Sequence, residues 1–137
     1  MKLRYLFLLL AFTSVNAQSY QPSIEIYERF DDVKLVAFVN ESDIENYPLW
    51  HSLSEVPPLS IADAIQAVKD LYKANNEVIE AKTIKEIELR QIPQREKYWH
   101  YLIKIKINDS EKPKYHVYVV LMNGKVIPAM VETESYK

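Results

Sequence analysis

The chain has no cysteine and a single glycine, Gly124, in 137 residues. The first absence removes disulfide stapling, a thiol nucleophile and a lipid-modified N-terminal cysteine. The second removes phosphate-cradling loops, dinucleotide fingerprints and the nucleophile elbow, each of which needs at least two glycines where backbone turns sharply or meets a ligand. Nucleotide-dependent enzymes and elbow-type serine hydrolases are therefore excluded. The chain also lacks an excess of positive charge. With 17 basic against 19 acidic residues, it cannot supply the clustered Lys and Arg that a phosphate-backbone binder or an anionic membrane surface requires.

Only one long apolar run is present, and it lies at the N-terminus. Lys2 and Arg4 precede the run YLFLLLAF (residues 5–12), and Val15-Asn16-Ala17 supplies the small residues a signal peptidase accepts before Gln18. The run is shorter than the roughly 20 residues of a membrane-spanning helix. It reads as a removable secretory signal over residues 1–17, and the mature chain is expected in the periplasm or medium without a membrane anchor. Loss of Lys2 and Arg4 leaves 15 basic residues and moves the formal charge from −2 to −4. What remains, about 120 residues, suits one domain with one core.

Within that domain, residues 18–57 form a β-prone segment and an irregular connection, and residues 58–137 a helix followed by sheet. Residues 24–27 and 34–39 are β-prone and flank Asp31-Asp32, as in a hairpin. Residues 40–58 are polar and proline-bearing, with Trp50 as an isolated anchor. Pro57-Pro58-Leu59-Ser60 then announces a helix, with Ser60 as N-cap and Asp63 in the first turn. Ile61, Ala64, Ile65, Val68, Leu71 and Tyr72 recur at helical spacing, and Asn75-Asn76 marks the stop.

Strands are expected over 83–91, 98–107, 115–122 and 125–131. Ile87 and Leu89 share a face of the first. In the second, Trp99, Tyr101, Ile103, Ile105 and Ile107 point one way and Tyr98, His100, Leu102, Lys104 and Lys106 the other. Asn123-Gly124 fits a two-residue type I′ turn, which sets Met122 opposite Lys125, Val120 opposite Ile127 and Tyr118 opposite Ala129. Pro128 confines the last strand to a sheet edge. The fold class is α+β: one amphipathic helix on a four-stranded antiparallel sheet, with the N-terminal β-prone segment added to the sheet or covering it.

One helix covers one face. The second face, with Tyr98, Leu102, Tyr118 and Met122, must meet either residues 24–39 or a partner. These four residues, with Trp50, are the candidate partner contacts. Chemistry elsewhere is sparse. With Ile107 and Tyr115 beginning the pairing, His100 and His116 share a face but fall about 20 Å apart at strand spacing and make no metal pair. His51 with Ser52, Ser54 and Glu55 lacks an oxyanion element and reads as an ordinary polar loop. Glu41, Asp43 and Glu45 lack the glycine of a calcium loop. Lys104, Lys106, Lys112 and Lys114 read as a solvated hairpin. Asn40 and Asn108 begin glycosylation sequons, relevant only in a eukaryotic secretory host. No catalytic residue, cofactor or metal is expected.

Pro58-Leu59-Ser60-Ile61 with Ala64, Trp99-His100-Tyr101, and the run from Val120 through Asn123-Gly124 to Val126 together resemble small exported bacterial domains of the PepSY-like type, over residues 58–132. Behind these stands the broader cystatin-like shape of a helix laid on an antiparallel sheet. The resemblance implies a periplasmic, non-catalytic module that binds or inhibits peptidases. The expected function is thus an exported binding module that recognises a protein or peptide, or a second copy of itself, through a sheet face or edge. The alternative is an inhibitor or immunity-type protein that blocks a hydrolase with the loop around Trp50. The leader generates a first prediction: protein recovered from an exporting host begins at Gln18 by intact mass, and a mature chain that retains residues 1–17 contradicts it.

Overall fold

The computed structural model describes residues 23–30, 32–79, 82–107 and 114–132. The leader, the Asn108 sequon and Lys112 lie outside them. Among the described residues, two antiparallel sheets and one α-helix make up the fold. Strands β1 (Ile24–Phe30) and β2 (Val33–Val39) form the expected hairpin; a 3-10 turn follows at Glu41–Ile44, then helix α1 (Ile61–Ala74). The remaining strands are β3 (Lys82–Gln91), β4 (Trp99–Ile107), β5 (Lys114–Leu121), β6 (Val126–Pro128) and β7 (Met130–Val131). The larger sheet has the order β3-β4-β5-β6 and the smaller β1-β2-β7.

Local chemistry sets the helix ends. Ser60 Oγ accepts the Asp63 N–H at 3.1 Å, which satisfies one of the free donors of the first turn. At the other end Asn76 takes a φ of 55°. Its N–H donates to Lys73 O, and the Glu77 N–H donates back to Tyr72 O at 2.9 Å. This is a Schellman ending built on asparagine rather than glycine. Ala64, Val68 and Tyr72 are buried at i, i+4 and i+8, whereas Ile61, at the first turn, is exposed.

The larger sheet is apolar on both sides, and each side has its own cover. Register places Tyr101, Ile103 and Ile105 of β4 on one face with Tyr118 and Val120 of β5. This is the helix side, because Tyr118 OH donates to Tyr72 OH at 2.7 Å. The other face carries His100, Leu102, Val117, Val119 and Leu121, all at most 2% exposed. Residues 24–39 cover it, contributing Ile26, Leu35, Ala37 and Val39 to the same core cluster. The N-terminal segment is therefore a sheet of its own, completed by β7 through the pairs Leu35↔Val131 and Val36↔Met130. A two-stranded hairpin alone is marginal in water; the third strand and the apolar face beneath stabilise it. Arg90 on β3 fastens one side, donating to Glu28 at 2.7 Å.

Two details of register differ from expectation. The final hairpin pairs Tyr118 with Pro128 and Val120 with Val126, one residue away from the type I′ pairing. Gly124 N–H donates to Leu121 O and Leu121 N–H to Lys125 O. Of the turn residues only Gly124 takes a positive φ, 89°. Met122, Asn123 and Gly124 thus form a three-residue turn that ends in a glycine bulge. Asn123 contributes its side chain instead: Oδ1 accepts the Lys125 N–H and Nδ2 donates to Asp43 O. The β4–β5 pairing likewise starts at Ile107↔Lys114, so His100 and His116 lie on opposite faces. Because strand side chains alternate, each one-residue slip exchanges the faces. Tyr118 and Val120 consequently join the helix side, while Leu102 stays opposite them. The expected strand over 125–131 also divides: β6 lies at the sheet edge with Pro128, and the chain then crosses to the smaller sheet as β7.

His100 lies in the inter-sheet core, 1% exposed, with Nδ1 3.2 Å from Tyr101 O. Burial lowers its pKa from 6.5 to about 4, assisted by nearby Arg90 and opposed by the Tyr101 carbonyl. The folded state thus takes up this proton later than the unfolded chain does. The His100 contribution is fully present above pH 6.5 and is lost as pH falls toward 4, on the order of 3 kcal/mol in all. Urea unfolding across this window should show a wild-type stability loss that His100→Leu reduces; parallel pH profiles for the two proteins would exclude the assignment.

Candidate interaction site

Four of the five sequence-selected contact residues do not present an open face. Leu102 and Tyr118 are 1% and 7% exposed, on opposite faces of the larger sheet, and Met122 is 3% exposed in the turn. Tyr98 is half-buried, its ring stacked on Tyr47 at 5.5 Å with Arg95 on it at 5.6 Å. These positions correct the expected recognition face: the chain covers that surface itself. Trp50 is the exception in location, on the connection between the 3-10 turn and α1.

Tyr47 organises that connection. Its ring is buried, and its hydroxyl donates to Trp99 O at 2.5 Å while accepting the Met122 N–H at 2.6 Å. One oxygen therefore ties the connection to the start of β4 and to the turn after β5. Burial pushes its pKa up to about 12, with the Met122 N–H acting in the opposite direction. Just before it, two of the three acidic residues considered as calcium donors have structural partners. Asp43 accepts the Asn40 N–H at 2.9 Å and pairs with Lys125, and Glu41 accepts from Arg95 Nη2 at 2.8 Å. Among the described residues no group of three or more His, Asp or Glu side chains could hold a metal ion.

Beyond Tyr47 the chain leaves the core and returns as a pinned loop. The Trp50 N–H donates to Lys97 O at 3.1 Å. Its indole donates to Glu55 O at 2.9 Å, closing the loop on itself, and the ring meets Trp99 edge-on at 5.0 Å. Ser54 and Glu55 N–H groups both return to His51 O at 3.0 Å. Between these fixed points Leu53 is fully exposed, at 103%, and Val56 is 84% exposed. A shallow concavity of about 520 Å³, lined by Trp50, Ser52, Gln91, Glu96, Lys97 and Trp99 among others, lies beside the loop. Ser54 Oγ points to the His51 carbonyl at 3.4 Å, which uses its hydroxyl on backbone.

A second polar group joins the helix to the sheet. Tyr118 donates to Tyr72, whose hydroxyl is 3.2 Å from His116 Nδ1, and Lys82 Nζ sits 4.1 Å over the Tyr72 ring. Burial raises the Tyr72 and Tyr118 hydroxyls and lowers His116. Neutral forms of all three suit a structural chain of hydrogen bonds.

Sequence reasoning selected Trp50 but passed over Tyr47, Leu53 and Val56. A lone tyrosine in a polar stretch carries no periodic signal; the alternation Leu53-Ser54-Glu55-Val56 also resembles ordinary loop composition. Comparison of the chain with protein-family models, curated proteins and solved structures returns no match. Tyr47→Phe strips the Met122 N–H and the Trp99 carbonyl of their shared partner and should cost about 1–3 kcal/mol. Thermal melting should fall accordingly, and amide exchange at Met122 should accelerate; an unchanged melt would show that the hydroxyl is dispensable.

Proposed function

We propose that the protein is an exported, non-catalytic binding module of PepSY-like type that recognises a protein partner through the loop over residues 48–58. The observation that carries this reading is Leu53, fully exposed at the tip of a loop whose neck is fixed by both Trp50 hydrogen bonds. Water-exposed leucine on a pre-organised loop binds with little ordering cost, and a well-fitted apolar anchor is the type of residue on which interface energy concentrates. The apolar leader supports export. No helix among the described residues is long and apolar enough to cross a membrane.

Trp50 and Leu53 divide the work in this reading. Trp50 is the support, held against Trp99, and Leu53 is the side chain that enters a partner. The same geometry favours a narrower version in which the partner is a secreted hydrolase and the loop blocks its cleft, since the Trp50–Glu55 bond fixes the loop before contact.

Leu53→Asp and Val56→Asp should each leave the melting temperature unchanged. Leu53→Asp should weaken capture of the partner from envelope extract about tenfold or more, the loss expected when an anchor worth 1.5–3 kcal/mol is removed. A partner retained equally by wild type and Leu53→Asp would rule out this loop as the contact.

A further inference from the structure

Helix α1 does not sit centrally over the larger sheet. Its principal neighbours are β5 and β6, whereas β3 lies at the opposite edge of the sheet. Among the described residues, the β3 side of the helix-facing surface is therefore left without a lid. An irregularity in the β3–β4 ladder between Ile84 and Glu86 adds to its apolar character. It lets Ile84 and Ile87, three positions apart, pair with Ile105 and Ile103 and share the helix side of the sheet.

A cavity of about 310 Å³ opens in this space. Ile103 and Ile105 contribute from the sheet, Ile65 and Val68 from the helix, and Ile79 and Ile84 from the chain leading into and along β3. The two other lining residues are Lys69 and Lys82. Lys82 is held in place, 3.3 Å from Glu77 and over the Tyr72 ring. Lys69 is exposed and enters no ion pair among the described residues. The lining thus joins a hydrocarbon interior to two ammonium groups, of which Lys82 is already met by the Glu77 carboxylate and Lys69 is not, among the described residues.

We propose that this cavity binds a single hydrocarbon chain ending in a carboxylate, that is, a medium-chain fatty acid. The chain would lie among the isoleucines and Val68, with the carboxylate at Lys69 and Lys82. The volume is at the small end of the roughly 300–1,000 Å³ range for ligand sites, which suits one acyl chain. Apart from the lysines, no lining side chain offers the hydrogen-bonding groups by which a sugar or nucleobase would be recognised. Apolar burial supplies affinity, and the charge supplies the preference for an anion over a neutral chain. This site is separate from the Trp50 loop, and its failure or success leaves the partner reading untouched.

Dodecanoate below its micellar concentration, titrated calorimetrically into the full-length purified protein, tests the assignment. Saturable one-to-one binding is expected. Lys69→Glu should weaken dodecanoate about tenfold while leaving the neutral dodecanol unaffected. Ile84→Trp, at a position 39% exposed, should fill the cavity and abolish both, with circular dichroism confirming the fold. Should Ile84→Trp misfold, Lys69→Glu still decides. Absence of saturable binding overturns the proposal, as does dodecanoate affinity unchanged by Lys69→Glu. A dimer in sedimentation that Ile84→Trp dissociates, with no dodecanoate bound, would make a second copy the occupant and overturn it equally.

Discussion

A four-stranded sheet that is apolar on both sides has to be covered twice, and helix α1 covers only one of them. For the other the chain uses its N-terminal hairpin. Leu35, Ala37 and Val39 on β2 and Ile26 on β1 join Leu102, Val119 and Leu121 in one core, while α1 serves the other side through Ala64, Val68 and Tyr72. Neither cover has a substantial interior of its own. Each is held by the sheet between them, and with no disulfide available, this mutual burial must hold the molecule together. His100 is an ionisable side chain sealed into the inter-sheet layer, which ties stability to the neutral imidazole.

The end of this sandwich near the β5–β6 turn is organised by polar contacts. Tyr47 binds the first residue of β4 and the turn residue Met122 through one oxygen. Asp43 adds Lys125, and Asn123 returns to Asp43 O. Backbone groups that would otherwise be left unpaired at the sheet end are satisfied in this way. The exposed loop begins directly after these anchors. Its conformation consequently derives from the rigid end of the sheet, and Trp99 supports Trp50 from the same strand that supplies the core. The loop and the core therefore share β4.

Much of the architecture can be read from residues alone. Ser60, Asp63 and the spacing from Ala64 to Tyr72 specify α1; Trp99 through Ile107 specifies a long strand; Pro128 specifies an edge. The failures arise where one residue decides between near-equivalent geometries. Asn123-Gly124 serves a two-residue turn with both residues at positive φ, or a three-residue turn that needs only Gly124 there. The choice depends on contacts from Lys125 next to the turn and from Asp43, far away in sequence. A separate one-residue slip, between β4 and β5, puts Tyr118 and Val120 on the face opposite Leu102 and so divides the expected site. The irregularity after Ile84 and the departure of β7 to the smaller sheet have no periodic signature either. Tyr47, Leu53 and Val56 were illegible because their roles come from tertiary placement: one is surrounded, the others are held out.

Strand β7 has a consequence for the order in which the chain matures. Leu35 and Val36 wait for Met130 and Val131, so the smaller sheet closes only after the C-terminal residues arrive. Contacts that bridge such separations form late and slowly. A two-residue strand whose partners lie far along the chain thus closes the smaller sheet, while the larger sheet pairs without it.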